Sequence, residues 1–105
     1  MNNQNEILKK IKVIVHQSVP GAKIFLFGSR AGGKTDEESD WDILILTEKK
    51  YPKTMRWQIQ DSLFSLSVKL HTYIDITLAK ESEWNSAPEY YSLKLDIQKN
   101  KSLAL

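Results

Sequence analysis

A chain of 105 residues suffices for one hydrophobic core and leaves little room for a second. With 41% hydrophobic and 27% charged residues it has the balance of a soluble globular chain, and no apolar run approaches the roughly 20 residues that cross a bilayer. The lack of cysteine excludes disulfides, thiolate metal sites and thiol nucleophiles, and a net charge of +2 spread along the chain argues against a duplex-binding surface.

The opening MNNQNEILKK lacks the basic-then-apolar order of a secretory signal, so one cytoplasmic domain over residues 1–105 is expected. Asn3 with Glu6 resembles a capping box, and Ile7, Leu8, Ile11, Ile14 and Val15 recur at helical spacing until Val19-Pro20-Gly21 ends the helix. Ala22 to Phe27 reads as a buried strand. Gly28 to Ser39 is a polar loop with three glycines, and Trp41 to Thr47 is again strand-like. Pro52 suits the first turn of a long helix, since the N–H it lacks would be unpaired there anyway. Met55, Ile59, Leu63, Leu66 and Leu70 give that helix its buried stripe. From Tyr73 to Leu78 the pattern alternates, with Ile74, Ile76 and Leu78 on one face and Tyr73, Asp75 and Thr77 on the other. Ser86 with Glu89 suggests a capping box opening a last helix with Tyr90, Leu93 and Ile97 inward, and a short strand at Ser102 to Leu105 completes the order. The expected class is α/β (α+β), a small mixed β-sheet flanked by helices.

The chemistry concentrates in Phe27-Gly28-Ser29-Arg30 and Ser39-Asp40-Trp41-Asp42-Ile43-Leu44. Glycine lets backbone approach a bulky anion, and a serine hydroxyl with nearby N–H groups can cradle phosphate oxygens. Asp40 and Asp42 stand two apart at the mouth of a strand, so alternation sends both carboxylates to one face. Side by side they repel, and a hard cation such as Mg²⁺, which takes one or two carboxylates plus substrate phosphates, relieves the repulsion. If the strand of Asp75 neighbours that of Trp41, three carboxylates could hold two metal ions about 3.5–4 Å apart, the arrangement that supports in-line displacement.

The order Gly-Ser, loop, Asp-x-Asp on a strand and a further Asp on a later strand resembles the DNA polymerase beta-type nucleotidyltransferase superfamily. Within it, the short chain and the run GSRAGG…SDWDILIL resemble the minimal nucleotidyltransferase (MNT) family of prokaryotes, over roughly Ile24 to Leu78. The resemblance implies a polymerase beta-like palm and assigns triphosphate binding to Gly28 and Ser29, with phosphate contact at Arg30. It implies metal binding at Asp40 and Asp42, and catalytic-metal binding with activation of the attacking hydroxyl at Asp75. It further implies ATP as substrate, two Mg²⁺ ions, and a partnership in which an MNT antitoxin AMPylates a tyrosine of a HEPN-domain toxin. Two residues depart from the family pattern: Gly32, where a second arginine is common, and Trp41, where a smaller aliphatic residue is usual.

Blander readings exist for each residue. Asp40 and Asp42 could be solvated acids at a strand entry, Gly28-Ser29 an ordinary turn, and Arg30 a loop cation; Glu81, Glu83 and Asp96 are alternatives to Asp75. His16 and His71 lack companions at metal-ligand spacing and read as structural or surface. Trp57, Trp84, Tyr90 and Tyr91 read as core aromatics, with an interface role for Trp84 or Tyr91 as the alternative. The chain holds no segment that could be an acceptor-binding domain, so the acceptor is expected on a partner protein, in a hetero-oligomer. The competing function is a non-catalytic antitoxin acting by contact alone; modification of nucleic-acid ends is disfavoured by the modest charge.

Overall fold

A computed structural model of the chain describes residues 4–27, 40–90 and 103–105. Gly28, Ser29, Arg30, Gly32, Asn3, Tyr91, Leu93, Asp96 and Ile97 lie outside them, as does the glycine-rich loop.

Helix α1 (Gln4–Ser18) buries Ile7, Leu8, Ile11 and Val15, the stripe its spacing dictates. It ends where Gly21 takes a left-handed φ of 78°, a conformation that turns the chain into the sheet and that only glycine adopts cheaply. Strands β1 (Lys23–Phe27) and β2 (Trp41–Thr47) follow, then helix α2 (Lys53–Leu70), strand β3 (Ile74–Lys80), a short helix α3 (Glu81–Ser86), a 3₁₀ turn at Pro88–Tyr90, and a two-residue strand β4 (Leu103–Ala104). The strands form one mixed sheet in the order β3-β2-β1-β4. β1 is antiparallel to β2 and to β4, while β2 and β3 run parallel with α2 as the crossover that parallel neighbours require. The expected fold class is the one observed.

The main core lies between one sheet face and helices α1 and α2. Ile24, Leu26, Trp41, Ile43, Ile45, Ile74 and Ile76 meet Ile7, Leu8, Ile11, Val15, Ile59, Leu63 and Leu66 there. Each buried aliphatic side chain contributes about 1.5–3 kcal/mol of transfer free energy before entropy is charged against it. The opposite face carries a smaller cluster of Phe27, Leu44, Leu46, Ala79 and Trp84, with Phe25 and Tyr90 packed against it. That second cluster explains why β2 reads as a continuous apolar run rather than an alternating one.

β3 runs past the alternating stretch to Ala79, which is buried with Trp84 in the second cluster. Two expectations are revised. Ser86 does not open a helix: its hydroxyl donates back to Ser82 carbonyl at 2.8 Å, and it closes α3, a helix whose six residues are too few to show a periodic stripe. Trp57, expected in the core, is 68% exposed, because the buried stripe of α2 runs along the other side of the helix. Trp84 is core, which removes it as an interface residue. No helix among the described residues is long and apolar enough to cross a membrane.

Candidate active site

β2 and β3 enter the sheet side by side. The Trp41 amide donates to Tyr73 carbonyl at 2.9 Å, and from that bond the parallel register sets Asp42 beside Asp75. Both acids reach the same sheet face for the same reason. Asp42 stands between Trp41 and Ile43, and Asp75 between Ile74 and Ile76, all four of which are no more than 1% exposed in the main core. Alternation then leaves each carboxylate no direction but the opposite face. A one-residue slip would bury both acids, so the hydrophobic pattern fixes the site as firmly as it fixes the fold. On its other side Asp42 is the antiparallel partner of Phe27, the residue that precedes Gly28-Ser29 in sequence.

Asp40 is exposed and lies just before β2 begins. Among the described residues no group of three His, Cys, Asp or Glu side chains is assembled as a metal cage. The structure therefore brings Asp42 and Asp75 together and leaves Asp40 at the entrance of the strand.

A residue that the sequence pattern did not single out completes this end of the sheet. Arg56, in the first turn of α2, reaches the free edge of β3: its Nε donates to Ile76 carbonyl at 3.1 Å, and Nη2 lies 3.5 Å from Asp75 Oδ1. One turn later, Gln60 Nε2 donates to Ile74 carbonyl at 2.6 Å. The signal is present in the sequence, since Arg56 and Gln60 are four apart and flank the Ile59–Leu63 stripe, but polar residues flanking a stripe are ordinarily just solvated.

Two of the alternative acids lie elsewhere, while Asp96 is outside the described residues. Glu81 pairs with Lys23 at 2.7 Å and Glu83 with Lys50 at 3.1 Å, fastening α3 at the opposite end of the sheet. Lys23 is raised above its ordinary value of 10.5, first by the hydrogen bond to Glu81 and then by that carboxylate's charge. His16 contacts Ala22 carbonyl through Nε2 at 3.0 Å, and His71 caps α2 in a left-handed conformation with φ of 54°. His16 thus makes a structural contact and His71 is an exposed helix cap, in keeping with the structural or surface reading. A hollow of about 270 Å³ lined by Gly21, Ala22, Thr47, Lys49 and Tyr51 also lies at that far end, away from the acids.

Two partly exposed carboxylates in adjacent register are hard oxygen donors of the kind that suits Mg²⁺, which binds through one or two carboxylates and completes its shell with water and phosphate.

No curated protein matches this chain in sequence. Among solved structures, a toxin–antitoxin crystal structure with AMP-PNP aligns at a TM-score of 0.62 and 22% identity, over 91% of this chain and 69% of that one. A mutant MntA–HpeT toxin–antitoxin structure aligns at 0.59 and 22% identity, over 99% of this chain and 71% of that one. A complex of tri-AMPylated Shewanella oneidensis HEPN toxin with MNT antitoxin aligns at 0.54 and 17% identity, over 92% of this chain and 94% of that one. At such identities the likeness is one of fold. The family profile described as "Polymerase beta, Nucleotidyltransferase" matches residues 9–101, nearly the whole length, and the chain belongs to that nucleotidyltransferase family.

Proposed function

We propose that this chain is a Mg²⁺-dependent protein adenylyltransferase that moves AMP from ATP to a tyrosine of a HEPN-domain toxin and so acts as its antitoxin. The observation that carries the chemistry is the register of Asp42 beside Asp75 at the mouth of β2 and β3. The partner is carried over from structural neighbours, which are toxin–antitoxin complexes, one with AMP-PNP and one with an AMPylated HEPN toxin.

In the reaction the acceptor hydroxyl oxygen forms a bond to the α-phosphorus of ATP, the bond from that phosphorus to the bridging oxygen breaks, and pyrophosphate leaves with the electron pair. Asp42 and Asp75, with Asp40 beside them in sequence, would hold the metal, whose chemistry is to neutralise the triphosphate and polarise the attacking oxygen. Asp75 would also accept the hydroxyl proton. Gly28 and Ser29 would bind triphosphate oxygens and Arg30 would contact phosphate. The remaining contribution is positioning, because the paired strands β2 and β3 set the two acids in adjacent register. An AMP group on a toxin tyrosine would add bulk and negative charge where RNA phosphate must bind.

The test is incubation with labelled ATP, Mg²⁺ and a HEPN toxin. Label on the toxin that is lost with Asp42→Asn supports the proposal. Toxin neutralised equally well by Asp42→Asn, without label, shows that contact alone suffices and overturns it; label on RNA overturns the choice of acceptor.

A further inference from the structure

We infer that Arg56 is a positioning residue for Asp75, a role that rests on the nucleotidyl-transfer reading of the acid pair. The Arg56–Asp75 contact is too weak to exist for stability. Its side chains are 40% and 46% exposed, its separation of 3.5 Å is long for a charge-assisted hydrogen bond, and such surface pairs contribute little. The stronger bond of Arg56 is the one to the Ile76 backbone at 3.1 Å. That bond holds the guanidinium at the strand edge, and the planar fork then sets a second N–H toward Asp75 Oδ1. Gln60 docks the same face of α2 on Ile74, so the helix cannot slide along the edge without breaking both bonds.

The consequence for Asp75 is orientational. The guanidinium beside Oδ1, held in place by its bond to the Ile76 carbonyl, limits the rotamers the carboxylate samples. Because the contact is long, the carboxylate is oriented without being tied up, and it remains able to bind a cation and accept a proton. Arg56 acts through Asp75 and touches no reacting atom. Lysine cannot replace it, because a single ammonium on a flexible stem cannot hold the Ile76 carbonyl and face Asp75 in a fixed fork.

Three variants test the assignment: Arg56→Lys, Arg56→Gln and Asp75→Asn. Transfer kinetics with a HEPN toxin are measured, together with Mn²⁺ binding to the nucleotide-free protein by paramagnetic resonance. Arg56→Gln and Arg56→Lys are each expected to lower kcat by about 10-fold or more with KM for ATP little changed, since loss of orientation acts on the reacting geometry. Mn²⁺ should bind Arg56→Gln about 5-fold more tightly than wild type, because a competing charge is gone, and Arg56→Lys about as wild type. The tightening reports only the charge beside the acid pair; the positioning role is read from kcat, which a purely structural arginine would leave unchanged per folded molecule. Wild-type kcat in Arg56→Gln beside an inactive Asp75→Asn overturns the role of Arg56 and leaves the acid pair standing. Full activity in Asp75→Asn instead removes the acid-pair reading, and the role of Arg56 with it. If Arg56→Gln fails to fold, wild-type kcat in Arg56→Lys overturns the fork.

Discussion

The two ends of the β2–β3 pair are built on opposite electrostatic plans. At the far end opposite charges are joined: Lys23 meets Glu81, Lys50 meets Glu83, and the buried Thr47 hydroxyl donates to Lys49 carbonyl at 2.7 Å. Trp84 closes that end over Leu44, Leu46 and Ala79, with its ring 5.3 Å from that of Tyr90. At the near end like charges are placed side by side, half-buried, with Arg56 held at the edge. One end is arranged to hold the molecule together, and the other carries the acid pair on which the proposed transfer chemistry rests.

The comparison breaks if the near end is not functional. Asp42→Asn should cost the largest effect of any single change, about 10²–10³ in transfer rate as for loss of a principal electrostatic group. Its folding stability in urea should stay within about 1 kcal/mol of wild type, because Asp42 is a partly exposed side chain outside both core clusters. A variant that lost stability and activity together would mark Asp42 as structural.

The far end should respond in the reverse sense. Trp84→Ala is expected to lose about 3 kcal/mol of unfolding free energy, read as a shift in denaturant midpoint, with the transfer rate per folded molecule unchanged. A fall in that rate would show the two ends to be coupled through β2 and β3. Gly21→Ala should cost about 1 kcal/mol, the strain of a positive φ, since nothing lies within 4 Å of an added Cβ to worsen or relieve it.

The smallest expected effect is that of the exposed Lys23–Glu81 pair. The folded-state value of Lys23 is raised, so its contribution is whole below the ordinary lysine value of 10.5 and fades as pH rises through the raised value. Glu81→Gln should therefore leave the stability profile unchanged above that range and at most slightly lower below it, as a pH series of denaturant melts would report. A large loss at neutral pH would make α3 part of the folding core rather than a clipped appendage.

The sequence by itself determined the order of the elements from α1 to β3, because each carries a periodicity long enough to read: the 3.6 spacing of Ile7 to Val15 and of Ile59 to Leu66, and the apolar stretches of β1, β2 and β3. It also determined which way Asp42 and Asp75 face, since each is flanked by two core residues. What only the tertiary structure decided was everything set by contact between distant segments. The parallel pairing brought Asp75 level with Asp42 across thirty-odd residues of intervening chain. The packing of α2 turned Trp57 outward, carried Arg56 to the edge of β3, and left that arginine beside an acid that no local spacing connects to it. Short helices such as α3 were illegible for a related reason: six residues hold less than two turns, and their fold comes from the surface they cover.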